Sequence, residues 1–347
     1  MKLTLKDTLN LVTNRHFLLL VIISIAIYYR VKTLKGYIIP TFGNTMYHVG
    51  IIRETIETSH YPPYELSYGG SFEHFYVPAY RLLTASLSIM SGIDPMVLSG
   101  IVTIFIAVIT ILAIYSLGLR MGNQYVGIYA ALFFVLSPEL AIFTSRALPA
   151  TLGLFMIPLT LYFVARDYRS LSILSAIGTA LTHQMTLLAL ASTLFIYSIF
   201  QIKKKDKFLS GFIPLFAACA AYGAWQVYSM GTLNILSISQ IQYREGTPVG
   251  IEIFSRMGVI VFLFMIPGIY VFFSGMMNKD HKILMISWLI ATLMLTKNDT
   301  LLSLIGEEGI FMDRFFTFLV QCVVILSGFG LFFVLRGMDE LSIEVES

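Results

Sequence analysis

Long apolar runs without charge are the feature that most restricts what this chain can fold into. Four runs contain no Asp, Glu, Lys or Arg: 95–119, 147–165, 170–202 and 315–335. A helix needs about 20 consecutive apolar residues to cross a bilayer. One large soluble core would have to bury all four runs beneath a polar surface, yet only 12% of the residues are charged, against roughly 25% in soluble domains. The sequence therefore predicts an all-α, multi-pass integral membrane protein.

The apolar pattern along the chain predicts about ten spans. The run 170–202 is too long for one straight span at about 1.5 Å per residue, so we divide it near Thr182, His183 and Gln184. The segment 77–90 is apolar but contains Arg81, and we expect it to form an amphipathic helix at the membrane interface. The predicted spans are 16–35, 97–119, 125–136, 151–165, two within 170–202, 208–228, 256–273, 283–296 and 315–335.

The distribution of lysine and arginine predicts the orientation of the bundle. The stretch 203–207 holds four lysines, and cytoplasmic loops carry an excess of Lys and Arg. We therefore place this loop and both termini in the cytoplasm of a cell-membrane protein. No small-residue cleavage site follows the basic and apolar start, so the first span is expected to be retained. We divide the chain into a membrane module, 1–336, and a short cytoplasmic tail, 337–347, with no separate soluble domain.

Polar residues gather in the predicted outer segments, which are 36–96, 229–255 and 297–314. These segments hold most of the titratable and aromatic residues that lie away from helix ends, including three of the six histidines. A transporter usually places its polar groups near the middle of the membrane. The asymmetry indicates chemistry at the outer interface.

Several functional classes are disfavoured by what the sequence lacks. Cys219 and Cys322 both lie in apolar runs and have no metal-ligand spacing. The formal net charge of +3 is too small and too dispersed to indicate a nucleic-acid partner. There is no Gly-Lys-Ser/Thr phosphate loop and no dinucleotide-binding fingerprint. A nucleotide held by either motif is therefore not expected.

Four short motifs follow one another in an order that resembles a known superfamily. They are NTMYH at 44–48, SPE at 137–139, LTHQ at 181–184, and DRF at 313–315 at the start of the last predicted span. In order and topology the chain resembles the GT-C glycosyltransferases. The likeness is greatest to archaeal members and to the related oligosaccharyltransferase catalytic subunits and protein mannosyltransferases.

The resemblance implies both a fold and an activity. The expected fold is a GT-C-like helix bundle with amphipathic interfacial helices in the first outer loop, 36–96. The implied reaction moves a sugar from a polyprenyl (dolichyl-type) phosphate to an acceptor at the outer, extracellular face. The chain ends soon after its last span, without the large outer domain of oligosaccharyltransferases. We therefore expect a lipid-linked glycan or a membrane glycolipid as the acceptor, membrane lipids as further partners, and no nucleic acid.

The residues implied for catalysis are Asn44, His48 and Glu139. Asn44 stands where the family has an essential Asp in its first outer loop. An amide takes up no proton at neutral pH and is a weaker ligand for a hard cation than a carboxylate. An engineered substitution, a base elsewhere in the chain and a protein that binds without catalysis all fit this departure. Glu139 is the candidate ligand for a divalent cation such as Mg²⁺ or Mn²⁺, although a monophosphate donor does not require one.

Further polar residues are candidates for holding the phosphate or the sugar. A guanidinium group donates bidentate hydrogen bonds to phosphate oxygens and stays charged, so arginines in the outer segments are the first candidates. The alternative for each is an ordinary role in interface anchoring, loop solvation or helix capping. The candidates are Arg314 and His183 from the resemblance, and Arg146, Arg244 and the pair Glu73 and His74 from the residues themselves.

Two other functions stay open from the sequence. A transporter or flippase would use broken helices, and Pro267-Gly268 and the short spans around His183 are candidates for them. Against this, the sequence has no internal repeat and almost no charge in the middle of its spans. A catalytically inactive binder of lipid-phosphate sugars is compatible with Asn44.

Overall fold

A computed structural model describes residues 14–35, 43–64, 76–230, 250–274, 277–302 and 312–346. Within these ranges the chain forms fifteen helices and no strand. The helices are α1 Arg15–Lys35, α2 Gly43–Thr58, α3 Ala79–Ser91, α4 Pro95–Met121, α5 Gln124–Leu136, α6 Pro138–Phe143, α7 Pro149–Ala165, α8 Arg169–Thr182, α9 Gln184–Phe200, α10 Lys205–Met230, α11 Ile251–Met257, α12 Val259–Phe273, α13 Lys279–Thr296, α14 Asn298–Leu302 and α15 Met312–Glu346.

Four of the described helices are long and apolar enough to cross a membrane: Arg15–Thr33, Pro95–Met121, Lys205–Ser229 and Met312–Gly337. The bent pair α11 and α12 would make a fifth. The prediction of an all-α membrane protein is therefore confirmed. Helices α5, α7 and α9 are apolar but shorter, and the full count of ten spans stays a prediction.

The centre of the bundle is α15, which packs against α5, α12 and α13. Glycines let it approach α12 closely. A Cβ placed on Gly330 would lie 1.9 Å from the backbone oxygen of Phe264, and one on Gly268 would lie 2.0 Å from that of Leu326. In addition, Ser327 Oγ donates a hydrogen bond to Val261 O over 2.7 Å. The two helices are thus in backbone contact, which only glycine permits at these positions.

The predicted division of the run 170–202 is confirmed. Helix α8 ends at Thr182 and α9 begins at Gln184, and His183 between them has an extended backbone, with φ −162° and ψ 134°. A residue in this conformation cannot continue a helix. His183 therefore lies at the turn where the two helices meet.

A second break, at Gly258, was not predicted. Helices α11 and α12 meet there at 95°, and Gly258 has a φ of +96°, which residues with a Cβ rarely adopt. By contrast, α12 continues through Pro267, where a broken helix was considered. The helical break in this region therefore lies at the glycine and not at the proline.

Contacts between helix ends define two opposite ends of the bundle. At one end, Lys204 pairs with Asp280 at 2.7 Å and Lys207 pairs with Asp167 at 2.7 Å. We call this the lysine end. The opposite end, where α4 begins and α5 ends, carries Glu139, and we call it the Glu139 end.

Candidate functional site

Glu139 occupies the first turn of the short helix α6. Pro138 fits the first helical position because its missing N–H would have no partner there. The Glu139 side chain is buried, and both its oxygens are engaged by Arg256 of α11. Arg256 Nε donates to Oε2 over 2.9 Å and Arg256 Nη2 donates to Oε1 over 2.9 Å. Thr317 of α15 adds a hydrogen bond to Oε1 at 2.5 Å. Arg256 and Glu139 therefore form a bidentate, charge-assisted ion pair, which is stronger than a pair joined by a single hydrogen bond.

Arg256 links Glu139 to the start of α15. Its Nη1 donates to Asp313, and it lies 3.4 Å from Glu252 one turn earlier. An arginine side chain stays protonated in proteins. The guanidinium thus stays charged between two carboxylates contributed by α6 and α15.

Two more arginines belong to the same cluster. Arg146 lies in the turn between α6 and α7, with its guanidinium 4.3 Å from the centre of the Phe143 ring. Burial lowers its pKa, the charges of Glu139 and Asp313 raise it, and the charges of Arg256 and Arg314 lower it further. Arg146 therefore lies within electrostatic range of two carboxylates and of two further guanidinium groups. With Glu252, which also pairs with Arg256, three arginines and three carboxylates gather at this end, so their formal charges balance.

His183 is the neutral member of the cluster. It is buried at the turn between α8 and α9, and its Nδ1 lies 3.3 Å from Thr186 Oγ1. Burial, assisted by the nearby charge of Arg314, lowers the pKa of His183 to about 3. The ring is therefore uncharged at neutral pH.

A second polar cluster joins α2 and α3. Asn44 is exposed in the first turn of α2, and His48 follows one turn later, 3% exposed. Arg81 of α3 is fully buried and donates from Nε to His48 Nδ1 over 3.1 Å. Its Nη1 donates to Tyr61 OH over 2.6 Å. A buried, hydrogen-bonded arginine therefore fixes the side chain of a residue implied in catalysis.

The structure brings together four of the residues that the sequence singled out: Glu139, Arg146, His183 and Arg314. Asn44 and His48 lie together on α2. The remaining candidates, Arg244, Glu73 and His74, lie outside the described residues.

Two important side chains, Arg256 and Arg81, were missed as site residues by sequence reasoning. Arg256 is the residue that Glu139 binds, 117 positions away along the chain. Arg81 carried a signal that was interpreted only as amphipathicity, because it is the single charge in an apolar segment. Helix α3 turns Arg81 inward and leaves Leu82, Leu83 and Met90 exposed, so its apolar face points away from the protein.

A divalent cation does not fit the described residues as they stand. Among them, no three or more His, Cys, Asp or Glu side chains come together in a way that could hold a metal ion. Glu139, the candidate ligand, already accepts hydrogen bonds from Arg256 at both oxygens.

Comparison with known proteins gives no match to a family model and none to a curated sequence. Solved structures do match. The chain is similar to the apo oligosaccharyltransferase of Archaeoglobus fulgidus, with a TM-score of 0.60 and 12% identity over 96% of this chain and 52% of that one. It is similar to ArnT from Cupriavidus metallidurans bound to undecaprenyl phosphate, with a TM-score of 0.65 and 10% identity over 90% of this chain and 59% of that one.

A third match is the archaeal oligosaccharyltransferase AglB from Archaeoglobus fulgidus in complex with an inhibitory peptide and a dolichol-phosphate, with a TM-score of 0.61 and 11% identity over 95% and 51% of the two chains. The chain therefore shares the fold of these oligosaccharyltransferase and ArnT structures, which is the fold that the resemblance in the sequence implied. It spans between half and three-fifths of the length of these proteins.

Proposed function

We propose that this protein is a GT-C-type glycosyltransferase that moves a sugar from a polyprenyl phosphate to a lipid-linked glycan or a membrane glycolipid. The observation that carries the proposal is the group of three arginines, Arg146, Arg256 and Arg314, that gathers beside carboxylates at one end of the bundle. The fold adds support, because two of the similar structures contain undecaprenyl phosphate or dolichol-phosphate.

The arginine cluster suits the phosphate of such a donor. Guanidinium groups pair with phosphate oxygens in the same two-pronged geometry that Arg256 shows with Glu139. Arg146 and Arg314 are only partly buried, so a headgroup can reach them. The carboxylates of Glu139 and Asp313 hold Arg256 in place before the phosphate arrives. In the reaction the cluster stabilises the negative charge that grows on the departing phosphate.

The acceptor is assigned to the side of Asn44 and His48. A hydroxyl oxygen of the acceptor forms a bond to the anomeric carbon, and the bond from that carbon to the phosphate oxygen breaks, leaving its electron pair on the phosphate. The hydroxyl proton must go to a base, which the amide of Asn44 does not supply. An Asp at position 44 would supply it, one turn before His48 and on the same face of α2.

The outer face is assigned from charge distribution. The lysine end carries the cluster 203–207 and is expected in the cytoplasm. The Glu139 end then faces outward, where a polyprenyl-phosphate sugar would present its headgroup.

The experiment that tests the proposal is sugar transfer from a radiolabelled polyprenyl-phosphate sugar in membranes that contain this chain or its Asn44→Asp variant. We expect the Asn44→Asp variant to transfer sugar faster, by roughly 10²–10⁴-fold, because that is the usual contribution of a positioned general base. Release of polyprenyl phosphate must accompany transfer, which separates an enzyme from a flippase. Absence of transfer by both forms with several donors, despite retained binding of the lipid phosphate, would favour a binder or transporter.

A further inference from the structure

His48 and Arg81 make a contact that restricts what His48 can do chemically. The two residues lie on neighbouring helices, α2 and α3, and the atoms that meet are Arg81 Nε and His48 Nδ1, 3.1 Å apart. His48 is 3% exposed and Arg81 has no exposed surface. Solvent therefore competes little with this hydrogen bond.

The hydrogen bond specifies the protonation of the imidazole ring. An arginine Nε always carries a hydrogen and never accepts. His48 Nδ1 must therefore offer its lone pair, and the ring proton of the neutral form lies on Nε2. A doubly protonated ring would place an N–H against an N–H and a second positive charge beside the guanidinium, both of which oppose protonation.

Aromatic rings hold both partners in this arrangement. The Arg81 guanidinium lies 4.9 Å from the centre of the Tyr47 ring and 5.0 Å from that of Tyr76. The rings of Tyr76 and Tyr80 form T-shaped contacts with the His48 ring, at centroid distances of 5.5 and 6.3 Å. These cation–π interactions are favourable and offset part of the free energy that is lost when the arginine charge is buried. The orientation of the imidazole is thus set by three side chains from outside its own helix: Arg81, Tyr76 and Tyr80.

We propose that Arg81 is a positioning residue that holds His48 as the neutral tautomer with its proton on Nε2, so that His48 donates a hydrogen bond to a substrate oxygen and takes up no proton. This rests on the proposed function for the identity of the substrate oxygen, which belongs to the donor phosphate or to the acceptor. A neutral imidazole in this role stabilises developing negative charge without acting as a general base.

The first test needs no substrate, so its result does not depend on the proposed function. The ring ¹⁵N resonances of His48, assigned by their loss in His48→Gln, are recorded in lipid nanodiscs from pH 5 to pH 8. The neighbouring groups whose charge could affect this protonation are Arg81 and the phenols of Tyr47, Tyr61, Tyr76 and Tyr80. We expect an unprotonated Nδ1 and a protonated Nε2 throughout. A proton on Nδ1, or conversion to the doubly protonated ring in this range, would overturn the proposal.

The variant Arg81→Met shows whether Arg81 is the cause. Without the Nε donor, we expect a mixture of the two neutral tautomers, because no arginine N–H then requires a lone pair on Nδ1. An unchanged single tautomer in a folded Arg81→Met protein would contradict the role of Arg81. If that variant does not fold, Arg81→Lys keeps the positive charge without the Nε geometry, and the same loss of a single tautomer is expected.

The second test separates a hydrogen-bond donor from a base. In the form that transfers sugar, His48→Gln keeps an N–H near the position of Nε2, whereas His48→Leu removes it. We expect His48→Gln to retain activity within about tenfold and His48→Leu to lose roughly 10²-fold. An equal loss of roughly 10²–10⁴-fold in both variants would indicate that His48 acts as a base, and would contradict the proposal. Binding of polyprenyl phosphate to His48→Leu then identifies the oxygen: weakened binding assigns it to the phosphate, and unchanged binding assigns it to the acceptor.

Discussion

At the scale of single residues, the charges of the Glu139 end depend on one another. Arg256 is held by Glu139 and Asp313, while Arg146 lies within electrostatic range of both carboxylates and of Arg314. Removing a partner of a buried pair costs more than the pair contributes, because a buried charge is left uncompensated. Substitutions that probe ligand binding should therefore be made first at the cluster members that are not part of the Glu139–Arg256 pair.

Arg314→Gln is the substitution that tests phosphate binding. We expect the affinity for polyprenyl phosphate to fall by about tenfold to a hundredfold, because a hydrogen bond to a charged group contributes roughly 1.5–3 kcal/mol. Native mass spectrometry of lipid-bound protein in nanodiscs measures the change. Arg169→Gln is the matched control, since Arg169 is an exposed arginine at the lysine end. Equal losses in both variants would show that the effect is one of net charge and not of the cluster.

His183 gives an expected pH dependence of stability. Its pKa in the folded protein is about 3, below the unfolded value of about 6.5. The unfolded state therefore binds more protons at acid pH, so stability is complete above about pH 6.5 and falls as the pH decreases toward the folded pKa. Between pH 7 and pH 5 we expect a loss of about 2 kcal/mol in the free energy of unfolding, which is absent in His183→Gln. Denaturation curves in detergent at both pH values measure this, and parallel behaviour of the two proteins would contradict it.

Glu139 and Arg314 were predicted as site residues because the motifs SPE and DRF, at the end of α5 and the start of α15, resemble those of a known superfamily. Arg256 was not, although it too stands at the edge of a predicted span, because its importance comes from Glu139, a partner 117 residues away. No local pattern encodes such a pairing, so it emerges only when the helices pack.

At the scale of helices, the contact between α12 and α15 sets the strictest steric requirement. Gly330 faces the backbone of Phe264, which cannot move aside as a flexible side chain could. The sequence did predict both helices as spans, since each is a long apolar run. Their glycine contact was not predicted, because a glycine within a helix has the same local pattern whether or not another backbone lies against it.

We expect Gly330→Ala to destabilise the protein by about 1–3 kcal/mol or more, because the two helices must separate to admit a methyl group. Gly337→Ala is the control on the same helix, where nothing lies within 4 Å of an added Cβ. That substitution should leave stability unchanged or raise it by up to about 1 kcal/mol through helix propensity. The free energy of unfolding in mixed detergent micelles distinguishes the two. Similar stability of both variants would show that α12 and α15 are not in backbone contact.

At the scale of the whole molecule, the two ends of the bundle are expected to face opposite sides of the membrane. The contacts separate a lysine end from a Glu139 end, and the charge distribution predicts that the lysine end faces the cytoplasm. The sequence could indicate this orientation because the lysines are contiguous, but it could not show which polar residues gather at the other end.

Cysteine labelling of intact cells measures the orientation. In a background of Cys219→Ser and Cys322→Ala, we expect a membrane-impermeant maleimide to label Glu57→Cys, which is exposed at the Glu139 end. Lys205→Cys, exposed at the lysine end, should be labelled only after permeabilisation. The reverse pattern would place the proposed reaction on the cytoplasmic face.

The shortness of α5 and α8, which have 13 and 14 residues, has a consequence for the depth of the site. At about 1.5 Å per residue each is roughly 20 Å long, some 10 Å less than the hydrocarbon layer it would have to cross. Both end at the Glu139 end, beside Glu139 and His183. If the lysine end lies level with the inner surface, those two residues sit in a depression below the outer one. A lipid headgroup would then have to enter this depression to reach the arginines. Charges there would interact more strongly than in bulk water, because the effective dielectric constant is lower.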